Sequence, residues 1–261
     1  MRALQIAATG MAAQQTRVEM ISQNLANMST TGYNARRAEF ADLAYQQVTR
    51  PGTIAAADGT MVPAGVQMGL GVRPTAVTVT LAQGTPTHTG GDLDIAIEGH
   101  GYLEVTLPSG VSAYTRDGGL KRSADGQIET SDGYPLAPGI TIPQETRSLS
   151  ISAAGEVFAY FDDQIEPQNL GQITLAGFVN EKGLEAIGSN LFLETTASGA
   201  PLVGNPGEQG LGTLRQHYLE ESTVDPVREI TELIKAQRGY ELNSKVITAA
   251  DQMLGATVQV R

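Results

Sequence analysis

The sequence predicts an α+β protein in which a helix at each end of the chain flanks a middle region of short antiparallel strands. Of the 30 glycines, only those at positions 10, 32, 239 and 255 lie outside residues 36–219, and all 12 prolines fall between Pro51 and Pro226. Glycine and proline interrupt regular elements, so the two ends can form long helices while the middle turns often. Heptad spacing at both ends and repeated Asp-Gly pairs in the middle support this division.

The N-terminal segment has the heptad periodicity of a packed helix. Apolar residues recur every seven positions, and a second set follows each of them by three positions: Leu4, Met11, Val18 and Leu25, with Ala7, Gln14, Ile21 and Met28. This is an a/d pattern that predicts a helix over residues 2–28, about 40 Å long.

The C-terminal segment repeats the pattern and has a clear start. Its two sets are Leu233, Tyr240, Ile247 and Leu254, with Ala236, Asn243, Ala250 and Thr257. Asp225 suits an N-cap, Pro226 suits the first helical position, and Glu229 places negative charge in the first turn.

The two apolar stripes predict an antiparallel coiled-coil pair that also contacts other copies of the chain. Each helix keeps a second face of small residues, which allows close approach by further helices: Ala8, Ala12, Ala26, Ala249 and Ala256. Asn24 and Asn27 flank the seam, where amides specify register at some cost in stability. The predicted pairing and assembly residues are Leu4, Met11, Val18, Ile21, Asn24, Leu25, Asn27, Met28, Leu233, Tyr240, Asn243, Ile247 and Leu254.

Between the two predicted helices, the helical spacing of apolar residues is replaced first by an irregular pattern and then by short alternating runs. Residues 48–74 contain many helix breakers and no helical period, which predicts an extended arm that includes Arg50, Pro51, Gly52, Met61, Pro63 and Gly65. Short alternating runs follow Pro74, and three Asp-Gly pairs, beginning at Asp117, Asp125 and Asp132, predict hairpin turns. The predicted domains are a helical inner domain from residues 1–35 and 219–261, an arm over 36–73, and a β-rich domain over 74–218.

Charge and composition exclude several classes of protein. Residues 1–50 carry five basic and three acidic side chains, residues 219–261 five and seven, and residues 51–218 seven and eighteen, so the middle holds the whole net charge of −11. An acidic body argues against nucleic acid and anionic lipid as partners. No segment reaches the ~20 apolar residues of a membrane span, no cysteine is present, and the N-terminus lacks the continuous apolar run of a cleaved signal.

No constellation of residues in the sequence predicts catalysis. His88, His100 and His217 lack metal-ligand spacing, and Asp94 to Glu98 suits a strand with buried isoleucines better than a calcium loop, with Gly99 and Gly101 as its turn or bulge. Asp162-Asp163 is a carboxylate pair in a predicted turn without a further acidic partner. We therefore expect a protein that is not an enzyme and has no cofactor or metal.

Three stretches resemble the flagellar rod and hook proteins, the axial components of the bacterial flagellum. They are "ISQNLANMSTTGY" (21–33), "DIAIEGHGYLEV" with "YTRDGGLKRSADGQIETSDGYPL" (94–105 and 114–136), and "LEESTVDPVREITELIKAQRGYELNSKVITAADQML" (219–254). Within the family, "FADLAYQQ", "GLGVRP" and the length are most similar to the distal rod members, with proximal rod and hook members as alternatives. Two positions depart from the family pattern: Thr223 replaces a common asparagine, and Gly239 replaces a common alanine, at a cost of about 1 kcal/mol in a helix interior.

The resemblance implies a subunit that assembles helically with itself into the shaft carrying torque across the periplasm. It further implies export without a cleaved signal through the flagellar type III apparatus. The implied neighbours are the proximal rod proteins, the hook or its junction, and the L and P rings. A secreted β-rich binding module with a helical stalk and a hydrolase acting on peptidoglycan, through Asp162 or Glu98, are the competing hypotheses from other classes.

Overall fold

The structure, a computed structural model, describes residues 2–49, 65–162 and 166–259. These residues form two compact units. The helical unit contains the described residues of 1–25, 36–78 and 225–261, and the β unit contains those of 26–35 and 79–224. Within the described ranges, neither helix is long and apolar enough to cross a membrane.

The helical unit has two long helices and four strands. Their bounds are α1 (Arg2–Ala26), β1 (Arg36–Asp42), β2 (Tyr45–Thr49), β3 (Val66–Gly69), β4 (Val72–Val79) and α2 (Pro226–Gln259). β1 pairs with β4, and β2 pairs antiparallel with β3. The described part of the predicted arm is therefore built of paired strands. Gly65 directly precedes β3, whereas Arg50, Pro51, Gly52, Met61 and Pro63 lie outside the described residues.

The start of α2 confirms the prediction from local sequence. The Asp225 carboxylate accepts hydrogen bonds from the backbone N–H groups of Val227 and Arg228, at 3.0 and 3.3 Å. These bonds satisfy two of the donors that a helix leaves unpaired at its first turn. Pro226 occupies the first helical position, where a missing N–H has no consequence.

The end of α1 differs from the prediction. The helix ends at Ala26, and Met28 lies in the following turn with 49% of its surface exposed, so its expected place in the seam is wrong. The side chain of Asn27 accepts a hydrogen bond from the Thr30 hydroxyl, and its carbonyl accepts one from the Thr30 N–H. These short-range bonds favour a turn over a further helical repeat.

The β unit consists of short strands. Their bounds are β5 (Pro86–His88), β6 (Ile95–Glu98), β7 (Tyr102–Thr106), β8 (Ser112–Thr115), β9 (Lys121–Arg122), β10 (Ile128–Glu129), β11 (Thr146–Ile151), β12 (Glu156–Phe161), β13 (Gln168–Gln172), β14 (Leu175–Gly177), β15 (Glu185–Gly188), β16 (Leu191–Leu193), β17 (Leu202–Gly204), β18 (Thr213–Gln216) and β19 (Tyr218–Glu220). A short 3-10 helix spans Glu181–Gly183.

The largest sheet has six strands in the order β15-β16-β8-β7-β14-β17. A second sheet has the order β11-β12-β13, and β9 with β10, β6 with β18 and β5 with β19 form antiparallel pairs. The pairs β6–β18 and β5–β19 join the two ends of the β unit's sequence. The fold class, α+β with a middle of short antiparallel strands, is as predicted.

The larger of two hydrophobic clusters in the described part of the β unit lies among its strands, and the smaller contains Tyr102, Tyr114 and Ala176. Ile95 and Ile97 of β6 are almost completely buried in the larger cluster, as predicted, together with Leu103 and Val105 of β7. Gly99 and Gly101, between these two strands, adopt φ values of +115° and +132° that favour glycine. Burial of a branched aliphatic side chain contributes about 1.5–3 kcal/mol, so this cluster is the main source of stability in the unit.

Two of the three Asp-Gly turns are confirmed. Gly126 and Gly133 both have a φ of +84°, and their N–H groups donate to the carbonyls of Ser123 and Thr130 in turns next to β10. The turn predicted at Asp117-Gly118 is not a hairpin, because β8 pairs with β7 and β16 while β9 pairs with β10. The Asp117 carboxylate instead accepts the N–H of Gly119, at 3.0 Å.

The chain leaves the β unit and re-enters it at one place. The N–H of Thr80 donates to the carbonyl of Ala35, at 2.8 Å. Residues 36–78 thus begin and end at hydrogen-bonded neighbours.

Candidate functional site

The two long helices pack as an antiparallel pair. Three contacts run in opposite directions along the two sequences: Gly10 lies against Asn243, Gln14 against Gly239, and Arg17 forms an ion pair with Glu232. The predicted antiparallel pairing is therefore confirmed within the helical unit.

Most of the predicted seam residues lie on the inner faces of this pair. Ala7, Ile21, Ala236 and Ala250 are buried, and Leu4, Met11, Val18, Leu25, Leu233, Asn243, Ile247 and Leu254 are half-buried. Tyr240 differs, because 46% of its surface is exposed and it lines a groove with Val18 and Gln15. The small side chains at two seam positions of α2 allow α1 to approach closely.

Within one chain, Asn24 bonds to the start of β1. It is 2% exposed, its amide N–H donates to the carbonyl of Arg36 at 2.8 Å, and its amide oxygen accepts the N–H of Arg36 at 2.9 Å. The side chain thus forms the same pair of hydrogen bonds to Arg36 that a neighbouring strand would form, and it holds the start of β1 against the last turns of α1. A contact of Asn24 with other copies of the chain stays a prediction.

α2 exposes many large apolar side chains for a surface helix. Seven large apolar side chains are between 46% and 75% exposed: Val227, Ile230, Ile234, Tyr240, Leu242, Val246 and Met253. The small residues predicted to form second faces, Ala8, Ala12, Ala26, Ala249 and Ala256, are all exposed. Exposed apolar residues in such number on one element indicate a surface that binds another protein.

A buried ion pair lies in the β unit. Nε of Arg116 donates to one carboxylate oxygen of Glu220 at 3.0 Å, Nη2 lies 2.9 Å from the same oxygen, and the side chains are only 7% and 3% exposed. Arg116 also donates to the carbonyls of Gly99 and Gly101, and the other oxygen of Glu220 accepts the N–H of Gly84 at 2.8 Å. Such a pair is stable when the remaining hydrogen-bonding groups are also satisfied, as they are here.

This ion pair holds the two segments that lead to the long helices. The N–H of Gly32 donates to the carbonyl of Glu220, at 2.9 Å. Gly32 has a φ of +65°, and a Cβ atom there would lie 2.8 Å from the carbonyl carbon of Arg116. Thr223, one of the two departures from the family pattern, donates its N–H to Tyr33 and accepts the N–H of Ala35 on its hydroxyl. Gly32 therefore serves close backbone approach and does not cap α1.

A polar cavity beside Arg116 contains the only His–Glu contact at hydrogen-bond distance within the described residues. Glu181 accepts a hydrogen bond from the Tyr102 hydroxyl at 3.1 Å, and its other oxygen lies 3.2 Å from Nδ1 of His100. Burial, followed by the charge of Glu181, raises the pKa of Tyr102 well above its usual range. Tyr102 therefore stays protonated as a hydrogen-bond donor and cannot act as a base near neutral pH.

The other candidates for chemistry are dispersed. Asp162 is exposed and pairs with Arg147 at 3.2 Å, while Asp163 lies outside the described residues. His88 and His217 bring their ring centroids within 6.4 Å, a proximity that their separation in the sequence did not reveal. In the part of the chain that the structure describes, no three His, Cys, Asp or Glu residues are placed to hold a metal ion.

Comparison with known families matches three parts of the chain in order. Residues 4–34 match the flagella basal body rod protein family, residues 96–159 the D1 domain of the flagellar hook protein FlgE/F/G family, and residues 215–260 the C-terminal region of the flagellar basal body rod FlgEFG proteins. The first match covers most of α1, the second covers strands of the β-unit core, and the third covers α2.

Individual relatives match over nearly their whole length. The chain is 57% identical to the flagellar basal-body rod protein FlgG of Caulobacter vibrioides, over 100% of both chains. It is 48% identical to that of Agrobacterium fabrum over 97% of both chains, and 46% identical to that of Borreliella burgdorferi over 98% of this chain and 97% of the relative. The chain therefore belongs to the family of flagellar basal-body rod proteins.

Proposed function

We propose that the chain is the structural subunit of the flagellar distal rod, which assembles helically with itself into the shaft that transmits torque from motor to hook. The observation that carries this proposal is the set of seven exposed apolar side chains on α2, in a chain whose relatives are named basal-body rod proteins. The relatives' shared name favours the rod over the hook alternative. Proximal rod members remain the nearest alternative.

The geometry of the helical unit supports polymerisation. The outer face of α2 presents large apolar side chains, and the outer face of α1 presents Ala8 and Ala12. Two different surfaces on one subunit can form a head-to-tail contact, and such contacts generate helical filaments when they do not close a ring. Burial of each apolar side chain would add to the stability of the shaft.

The remaining parts of the proposal concern partners and location. The subunit would reach the periplasm unfolded through the type III export apparatus. In the basal body it would contact proximal rod proteins below, the hook or its junction above, and the L and P rings around it. The acidic character of residues 51–218 would reduce adhesion to an acidic ring wall, because like charges repel across the gap.

We propose that the arm over residues 36–73 stiffens the shaft by contacting neighbouring subunits. Its described strands pair with each other and contain exposed apolar side chains, such as Tyr45, Val48 and Val66. Deletion of residues 48–66 should give a bent, hook-like structure in electron micrographs of isolated basal bodies. Straight rods from that deletion would contradict the stiffening role.

The assembly role of α2 can be tested by introducing charge on its outer face. Leu242→Glu replaces a side chain that is 63% exposed, so the isolated subunit should keep its stability. In the assembled shaft the carboxylate would be buried without a partner, which costs several kcal/mol per subunit. We expect loss of motility and of rods when this variant replaces the FlgG protein of Caulobacter vibrioides.

Ser244→Glu is the matched control, because it introduces the same charge at an exposed polar position two residues away. It should leave motility close to that of the unaltered chain. Normal rods with Leu242→Glu, at unchanged subunit levels, would contradict the proposal. Trimming of both ends by limited proteolysis of the monomer would favour a rod subunit over a binding module with a stable helical stalk.

A further inference from the structure

The contact between α1 and α2 contains a reciprocal arrangement of glycines and amides. Gly10 and Gln14 lie one turn apart on α1, and Gly239 and Asn243 lie one turn apart on α2. A Cβ atom on Gly10 would lie 3.0–3.2 Å from the amide of Asn243, and one on Gly239 would lie 3.2–3.5 Å from the end of Gln14. Each amide therefore occupies the space left by the glycine of the other helix.

We propose that this arrangement, which we term the glycine–amide clasp (Gly10, Gln14, Gly239 and Asn243), determines the register in which the two terminal helices pair. An a/d seam alone does not determine register, because a slip of seven residues, about 10 Å, places seam residues opposite seam residues again. After such a slip Gln14 would face Glu232 or Val246, and neither position leaves the space that Gly239 provides.

Slips by a single turn are also disfavoured. In one direction Gln14 would meet Asn243, so that two amides compete for the space that one occupies. In the other direction Gly10 would meet Gly239, which leaves a void at the interface. The clasp therefore penalises each nearby register by a clash, a void or a lost fit, which is how natural helix pairs exclude alternatives.

The clasp gives a physical reason for Gly239, the second departure from the family pattern. Glycine in a helix interior is unfavourable, and Gly239 is retained in the middle of α2. The register sets which outer faces of α1 and α2 a copy presents to its neighbours. The consequence for assembly rests on the proposed function, whereas the register itself is a property of one chain.

The test exchanges the two groups across the interface. Gly239→Gln places an amide opposite Gln14, and Gln14→Gly leaves a void. The double variant restores one amide opposite one glycine, with the donor helix reversed. Gly255→Gln is the matched control, because a Cβ atom at Gly255 of the same helix meets nothing within 4 Å.

Register is read by an intrachain disulfide, because the chain has no cysteine of its own. Arg17→Cys with Ala236→Cys reports the observed register, because these positions lie three residues beyond Gln14 and Gly239, in opposite directions along the two helices. Arg17→Cys with Glu232→Cys, or with Tyr240→Cys, reports a slip of one turn in either direction, since a disulfide needs closer Cβ atoms than the long side chains of Arg17 and Glu232 need for their ion pair. The full-length chain is oxidised in Caulobacter vibrioides cells and its mobility is measured on a non-reducing gel.

We expect Gly239→Gln to lower the yield of the observed-register disulfide about fivefold, the effect of roughly one unfavourable contact. The double variant should return to within about twofold of the unaltered chain, as coupled neighbours do, and Gly255→Gln should change nothing. If helix propensity alone mattered, Gly239→Gln would raise the yield. That result, or a double variant no better than the single, would overturn the proposal.

Gly10→Gln with Asn243→Gly repeats the exchange at the other half of the clasp and covers the case in which Gly239→Gln does not accumulate. Motility of the same strains is scored separately. Restored disulfide without restored motility would support the register role and count against its consequence for assembly.

Discussion

The buried ion pair of the β unit leads to a quantitative prediction. Arg116→Met removes the guanidinium and keeps a long apolar side chain, so that Glu220 stays buried without its positive partner. The hydrogen bond and ion pair with Glu220 and the bonds to Gly99 and Gly101 are lost together. Breaking a buried pair by removing one partner costs about 3–5 kcal/mol. For a chain of this size each kcal/mol corresponds to about 2–4 °C, so we expect a fall in Tm of about 10 °C.

The assay is urea unfolding of the purified chain, followed by far-UV circular dichroism because tryptophan is absent. Arg147→Met is the control, since its pair with Asp162 is exposed, with 73% and 76% of the side-chain surfaces accessible. It should change the free energy of unfolding by less than about 1 kcal/mol. Arg116→Met with Glu220→Leu should recover much of the loss, because an apolar pair leaves no buried charge.

An unfolding free energy for Arg116→Met within about 1 kcal/mol of the unaltered chain would refute the reasoning. It would mean that Glu220 finds other donors or solvent after the change. A double variant as unstable as the single one would show that the loss arises from packing instead of charge.

Three further predictions concern single residues. Gly32→Ala should destabilise the β unit by more than about 2 kcal/mol, because it combines a positive φ with a clash, whereas Gly110→Ala has a positive φ in open space and should cost about 1 kcal/mol; urea unfolding compares them. Burial raises the pKa of Tyr114 from 10.0 to about 12, so its contribution to stability is complete below pH 10 and is lost as the pH rises through 12. An absorbance titration that shows all tyrosines ionising together near their ordinary pKa would contradict this. Asn24→Ala leaves both backbone groups of Arg36 without their amide partner and should cost about 1–3 kcal/mol, whereas Asn24→Asp keeps only the acceptor and should retain part of that stability; thermal unfolding of both variants measures the difference.

Local sequence signals predicted the helices well. The heptad spacing and the cap at Asp225 depend only on residues within a few turns, and α2 begins where they indicated. The end of α1 was misplaced because Met28 continues the spacing, while the side chain of Asn27 closes a turn instead. Periodicity describes which face a residue would take and does not determine whether the helix continues.

Contacts between residues far apart in the chain could not be predicted from the sequence, for a physical reason. Arg116 and Glu220 are 104 residues apart, and each has neighbours typical of an exposed strand end. β18 and β19 are short, and each pairs with a strand from the other end of the unit, β6 and β5. Because no turn joins the paired strands directly, the local sequence contains no hairpin signal for them. Gly10 and Gly239 were visible as helix glycines, but the amides that fill their space lie on the partner helix.

The bond between Ala35 and Thr80 has a consequence for how this chain can vary in length. Residues 36–78 are flanked by Ala35 and by residues next to Thr80, and Ala35 and Thr80 are hydrogen-bonded to each other. In the β unit, these residues are therefore an insertion at one point. Doubling the length of a flexible insertion costs only about 0.6 kcal/mol in closure entropy. For residues 79–224, a change in the length of this segment is therefore a small perturbation that leaves their strand pairing in place.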